Sequence, residues 1–242
     1  MLSPPALSAV YTRYETLTQI ARDRFSGSLA GRLLLRSGLD TEGLANIAAA
    51  GIAGACSLCI EPEAENLREA LRAGLCDFVV GPLDEALRIL KNELRRGLPV
   101  SVGLTAEPAP ILTEMIDRGL QPDLISLPPG EGCQIFVDRG AIALTDHDDS
   151  ADAATALIEW TLTTDAARSM PQIARIAAQS LEPARPDTAL RQHWLESATR
   201  HLGRAFATRH CLRMAATESA AFIAAARAQF PAIHFTLDGS TT

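Results

Sequence analysis

Two glycines, Gly38 and Gly43, bracket the turn Gly38-Leu39-Asp40-Thr41-Glu42-Gly43, which follows the apolar run Leu33-Leu34-Leu35 and leads into an alanine-rich stretch. Residues in this order suit a dinucleotide phosphate cradle. There the first glycine makes the tight turn, a middle one lets the backbone approach the pyrophosphate, and the last lets the helix pack close on the strand. Here the middle place is held by Asp40. Its Cβ would crowd a pyrophosphate. Its carboxylate and that of Glu42 would repel one by on the order of a kcal/mol each, even when well solvated. Asp40 or Thr41 can also cap the following helix and take up the amide donors a phosphate would use. The turn has the fingerprint's shape and is expected to close on itself. Roughly twenty residues on, Glu61 ends the next apolar run, where an acidic group can take a ribose hydroxyl; the plainer reading is a carboxylate at a strand end before Pro62. Gly38, Gly43 and Glu61 are thus the candidate cofactor residues, of a degenerate kind.

Other chemistry-bearing groups have duller readings. Asp146-His147-Asp148-Asp149 combines imidazole and carboxylate donors, but adjacent residues rarely converge on one ion, and the acids suit a helix start. Cys56 and Cys59 have C-x-x-C spacing but fall inside an expected strand, where residues three apart face opposite sides; buried thiols are expected. His193, His201 and His210 lie in the C-terminal region with Glu196 and Glu218 near in sequence, yet no nucleophile stands at an activating spacing. Trp160 and Trp194 read as core or contact residues. No catalytic residue and no metal site is assigned.

Three regions must position these groups. Residues 1–28 read as one amphipathic helix, with Tyr11, Tyr14, Leu17, Ile20, Ala21 and Phe25 at helical spacing and Gly27 as a stop. Over 29–145, apolar runs at 32–37, 55–60, 76–80, 99–104 and 123–127 alternate with helical patterns at 42–50, 63–73, 83–96 and 109–118. Gly74, Gly97 and Gly119 stand at or just past three helix ends, and Asp84 and Pro108 mark starts. This alternation predicts an α/β fold: a Rossmann-like, doubly wound, mainly parallel sheet. Residues 133–144 read as a β-hairpin about Asp138-Arg139-Gly140. From 146 to 242 a helical C-terminal region is expected, with helices at 152–163, 171–180, 188–206 and 217–229 and short strands near 210–214 and 233–237. The segment 182–186, rich in proline, is the expected linker.

Composition narrows the function classes. A net charge of −7 over 242 residues, with no compensating Lys/Arg run, argues against nucleic acid. No run approaches a membrane span, and the N-terminus lacks a basic, apolar signal pattern. Five scattered cysteines fit reduced thiols in a cytoplasm.

Several segments together resemble the NAD-binding region of urocanase (urocanate hydratase). They are YETLTQIARDRFSGSLAGRLLLRSGL, AGIAGACSLCIEPE, LDEALRIL, GLPVSVGL and ILTEMIDRGLQPDLIS, in the family's order, over about residues 11 to 126. A looser likeness continues at RQHWLESATRHLGRAFATRHCL. The resemblance implies a Rossmann-like NAD domain inserted in a larger core, tightly held NAD+ used as an electrophile in adding water to urocanate, and a cytoplasmic homodimer. The departures are severe. Where the family's turn reads Gly-Leu-Gly-Gly-Met-Gly-Gly-Ala-Gln, this chain has Gly38 through Asn46 with only two of the outer glycines kept. Ala106-Glu107-Pro108 replaces a Gly-Asn-Ala cofactor contact. Leu127 through Cys133 replaces the Asp-Gln-Thr-Ser-Ala-His-Asp-Pro motif, and the Phe-Cys-Arg-Gly catalytic motif has no counterpart. Only Glu61 keeps its residue type near the cofactor. The expectation is a degenerate urocanase-like protein with no cofactor, or NAD only if the altered site still functions. It would act as a non-catalytic partner protein or homodimer, with small residues at 215–228 suited to helix packing. The alternative is a binder of NAD or another small ligand, such as an altered lyase, using the crevice at the strands' C-terminal ends.

Overall fold

The runs at 33–37 and 56–61 are apolar enough to lie buried on both faces, and they form the centre of an all-parallel sheet. The computed structural model describes residues 5–130, 132–144, 154–237 and 240–241, in two compact units of residues 1–149 and 150–242. In the first unit β1 (Leu33–Ser37) pairs with β2 (Cys56–Glu61), Leu33 opposite Cys56 and Ser37 opposite Ile60. Every residue of both strands is buried. Outward on one side lie β4 (Ser101–Thr105) and then the edge strand β3 (Phe78–Val80); on the other lie β5 (Leu124–Ser126) and β6 (Ile142–Ala143). The chain therefore winds one way from β1 and returns to its other side at β5. That reversal opens a crevice beyond the carboxyl ends of β1 and β5, the usual ligand position in such sheets.

Helices cover both faces. α1 (Leu7–Arg24) packs on α2 (Thr41–Ile52), burying Tyr11, Tyr14, Leu17 and Ile20. α3 (Ala64–Ala73) and α4 (Leu83–Arg96) end on left-handed Gly74 and Gly97, where a side chain would strain the backbone. α5 (Pro108–Asp117) starts with proline in its first turn. One face carries a core of Leu33, Leu35, Leu58, Ile60, Leu90, Val102, Met115 and Phe136, while Leu34 points to the other, as strand alternation requires. The segment read as a hairpin is different: Cys133–Asp138 forms a short helix, α6, and β6 pairs in parallel with β5. Short apolar runs do not separate helix from strand by period alone, and burying Phe136 decided it here.

The second unit is less helical than the sequence suggests. Residues 152–163 were expected to be a helix; Thr155–Thr161 is instead a strand, β7, the β-branched Thr155, Ile158 and Thr161 prevailing over the alanines before them. It pairs antiparallel with β8 (Arg209–Ala215) and β9 (His234–Leu237), and β10 (Ser240–Thr241) adds at β9, so these strands make their own sheet. α7 (Ala166–Gln179) begins before Pro171 and contains it; α8 (Thr188–His201) starts where expected but stops short of 206, where Gly203 breaks it, and α9 (Ala216–Gln229) falls within a residue of its expected bounds. The expected linker at 182–186 is a pinned turn. The Glu182 amide donates to Glu218 Oε1 at 2.8 Å, and Thr188 Oγ donates to the Glu182 carbonyl at 2.6 Å.

Candidate functional site

The β1–α2 turn sits at the mouth of the crevice. Gly38 has φ +81° and open space where a Cβ would stand, so it makes the tight turn that only glycine adopts easily. At Gly43 an added Cβ would come within 2.6 Å of the Gly38 carbonyl and 3.0 Å of Arg36 Nε. Helix α2 can approach β1 this closely only because residue 43 is glycine. The outer two of the three glycine roles are preserved, and both are structural.

The middle role has passed to side chains. Asp40 is the N-cap of α2: its Oδ1 accepts from the Gly43 amide at 2.7 Å and from Arg36 Nη2 at 2.8 Å. Arg36, the one charge in the otherwise uncharged β1, is buried. It also donates from Nε to the Gly38 carbonyl at 3.1 Å and from Nη1 to Ser126 Oγ at 2.9 Å, tying β1 to β5 across the crevice. Asn46 of α2 donates to the same Ser126 hydroxyl at 2.9 Å, and its own carbonyl oxygen is buried with no hydrogen-bond partner among the described residues. Glu42 turns away to pair with Arg13 of α1 at 3.4 Å.

Glu61 is 5% exposed. Its Oε2 accepts from the Leu39 amide at 2.7 Å, and its Oε1 from the Glu63 amide at 3.1 Å and Asn66 Nδ2 at 3.0 Å. Both carboxylate oxygens therefore hold the chain's own donors. The structure brings Gly38, Gly43 and Glu61 together around one turn, joined by Arg36, Asn46, Asn66 and Ser126, which sequence reasoning did not pick out. One signal was available: an arginine in a strand buried on both faces needs a counter-charge, and Asp40 stands four residues on.

The remaining candidates do not assemble. Cys59 lies under the turn, its thiol 3.7 Å from the Gly38 carbonyl and pushed far up by burial; Cys56 and Cys76 are pushed up to about 11 by the same cause. Such thiols are inert near neutrality. His193 is exposed on α8, whereas His210 is buried on β8, stacked on Trp160 with ring centroids 5.1 Å apart. Burial pushes His210 down to about 4. Trp160 and Trp194 are fully buried. Glu218 is paired with Arg191 at 2.6 Å. Asp146-His147-Asp148-Asp149 lies outside the described residues, and among the described ones no cluster of three or more metal-ligating side chains occurs. Nor is any described helix long and apolar enough to cross a membrane.

Residues 9–127 match the family model of the urocanase Rossmann-like domain, the span running from α1 to just past β5 and including the turn at 38–43. Through residues 9–127, just under half of its length, the chain carries a Rossmann-like domain of the urocanase family.

Proposed function

We propose that the cofactor seat of this domain is closed by the chain's own carboxylates, and that the protein works as a non-catalytic binding or partner protein rather than as a urocanate hydratase. One observation carries the reading. The Leu39 and Gly43 amides, placed where a nucleotide cradle offers donors, are occupied by Glu61 at 2.7 Å and Asp40 at 2.7 Å. A pyrophosphate at this turn would have to displace both and accept two negative charges beside its own, so the residues present do not fit NAD. The rival reading, a small-ligand site built on Glu61, needs that carboxylate open to the crevice, and it is buried and fully bonded. A reducing cytoplasm is part of the proposal, supported by five cysteines that are all free thiols.

Native mass spectrometry of freshly purified protein, followed by denaturation, tests the closed seat. The expected result is the mass of the polypeptide alone, 25.8 kDa per chain. A co-purifying mass matching NAD or another nucleotide would overturn the proposal and move the ligand-binding reading to the front.

A further inference from the structure

We propose that the recess between the end of α7 and the start of α8 binds a small carboxylate with a short apolar tail. This gives the binding reading above a ligand class, at a site in the second unit apart from the closed seat. The recess has a volume of about 500 Å³, enough for a small molecule. Leu181, Pro183 and Pro186 supply an apolar wall, and Gln179, Arg185 and Gln192 a polar one. Arg185 is the one charged side chain that lines it among the described residues, and no acid does, in a chain of net charge −7. A guanidinium sharing a recess with two side-chain amides fits the planar, forked acceptor of a carboxylate. A cation would be repelled. A bare phosphate would leave the apolar wall unused.

The turn that forms this recess, the proline-rich stretch 182–186, is held rigid. Pro183 and Pro186 fix their own φ, the Arg185 amide donates to the Glu182 carbonyl at 3.3 Å, and the Thr188 amide to the Arg185 carbonyl at 3.2 Å. Glu182 Oε1 accepts from Thr217 Oγ at 3.0 Å. Asp187 Oδ1 accepts from Arg185 Nε at 3.3 Å and pairs with Arg191 at 3.2 Å, so its charge is shared between two guanidinium groups and it fixes the one that lines the recess. On the buried side, Arg191 Nη2 donates to Thr188 Oγ at 3.2 Å, and Glu218 Oε1 accepts from the Glu182 amide at 2.8 Å. For stability alone, a well-packed apolar pair would serve as well as the sealed Arg191–Glu218 pair. What the ion pair adds is position: it fixes the turn, and with it the recess, before any ligand arrives. A site already ordered on folding loses less entropy when it binds.

Saturation-transfer difference NMR on the full chain, titrated with butyrate, tests the site, with butyramide and acetate as comparison probes. Butyrate is expected to bind with a dissociation constant on the order of 1 mM, as suits so small a ligand. Butyramide has the same shape without the charge and should bind about tenfold or more weakly. Acetate keeps the charge but loses the tail that meets the apolar wall, and should bind about fivefold more weakly. Arg185→Gln should weaken butyrate about tenfold or more. Gln179→Glu sets an acid at an exposed position on the rim and should weaken it too, which covers the case in which Arg185→Gln disturbs the fold. Circular dichroism reads the fold of each variant. Butyrate that shows no saturable binding overturns the proposal. So does butyramide that binds as well as butyrate, or binding indifferent to both substitutions, which would make the contact adventitious. None of these results bears on a co-purifying nucleotide, so this proposal and the closed-seat reading fail separately.

Discussion

Each unit builds a carboxylate network around a buried arginine, Arg36 in one and Arg191 in the other, and the two differ in which partner meets water. In the first, Arg36 is sealed, with 8% of its side chain exposed, while Asp40 is 65% exposed at the mouth of the crevice. In the second, Arg191 and Glu218 are exposed by 1% and 0%, 2.6 Å apart. Glu218 also accepts from the Ala215 amide, the N-cap of α9, and from Glu182, so it fixes the start of a helix and a turn at once. The first network stands where ligands bind in this class of fold, and the second stands where nothing could enter. A charge pair open on one side can be edited at modest cost, because water replaces what is removed. A sealed pair cannot, since losing one partner strands the other in low dielectric.

The sharpest way to break this contrast is Glu218→Ala. It takes away the sealed partner of Arg191 and leaves it only the partly exposed Asp187 at 3.2 Å, and it should destabilise the second unit by about 3 kcal/mol. Replacing both partners with apolar residues should cost far less. The chain has two tryptophans, Trp160 and Trp194, and both lie in this unit, so urea unfolding followed by tryptophan fluorescence reads it separately from the first. A loss below about 1 kcal/mol would put Glu218 in the class of exposed pairs and end the distinction.

The second unit should also be the acid-sensitive one. His210 is held down to about 4 in the fold, from 6.5, chiefly by burial. The unfolded chain therefore binds the proton more readily, and stability falls as pH drops from about 6.5 toward 4, by up to about 3 kcal/mol. Glu218 acts in the same direction but lower. Burial alone would raise its carboxyl, yet the Arg191 guanidinium and the Glu182 and Ala215 amides outweigh that and hold it below the ordinary range. Its contribution is present above the unfolded carboxylate value and is lost as pH falls through the folded one. His210→Phe should flatten the fluorescence-detected stability between about pH 4.5 and 6.5 while leaving the steeper loss below it. An unchanged slope in the variant would clear His210 of any part in it.

These networks also mark where the sequence could be read and where it could not. The parallel sheet was legible because strands buried on both faces are continuous apolar runs, and Gly74 and Gly97 punctuate the helices between them. A cap at Asp40 or Thr41 was legible from residue type and position, and the structure gives it to Asp40. The partners that complete the cradle were not, because Ser126 is ninety residues from Arg36 and only the fold brings β5 beside β1. Glu61 could be placed at the crevice but not oriented, since its partners are mostly backbone amides, which every residue carries. Strand β7 was missed for a local reason: it alternates weakly, with Ile158 and Trp160 buried behind a run of small residues. Arg191 and Glu218 were hidden because both lie on helices, where charges are expected to face solvent.

The smallest effect offers the finest test of the open network. Asp40→Gly removes both the Cβ and the carboxylate from the middle place of the turn and restores the residue a phosphate cradle uses there. Glycine is tolerated at a helix N-cap, and Arg36 keeps the Gly38 carbonyl and Ser126 as acceptors, so the loss should be about 1 kcal/mol or less. The change also frees the Gly43 amide and Arg36 Nη2, two donors aimed at one point. If Asp40 is the resident anion of this cradle, inorganic phosphate should now take its place. With a dissociation constant of about 1 mM, 10 mM phosphate would return about 1.4 kcal/mol to the variant. The wild type, with its own carboxylate in the seat, should gain nothing specific beyond the general effect of the salt. Thermal unfolding of the two proteins in phosphate and in chloride of equal ionic strength separates these outcomes. An equal response in both would mean that Asp40 caps the helix and nothing more, and that the closure of the seat lies with Glu61 on the Leu39 amide.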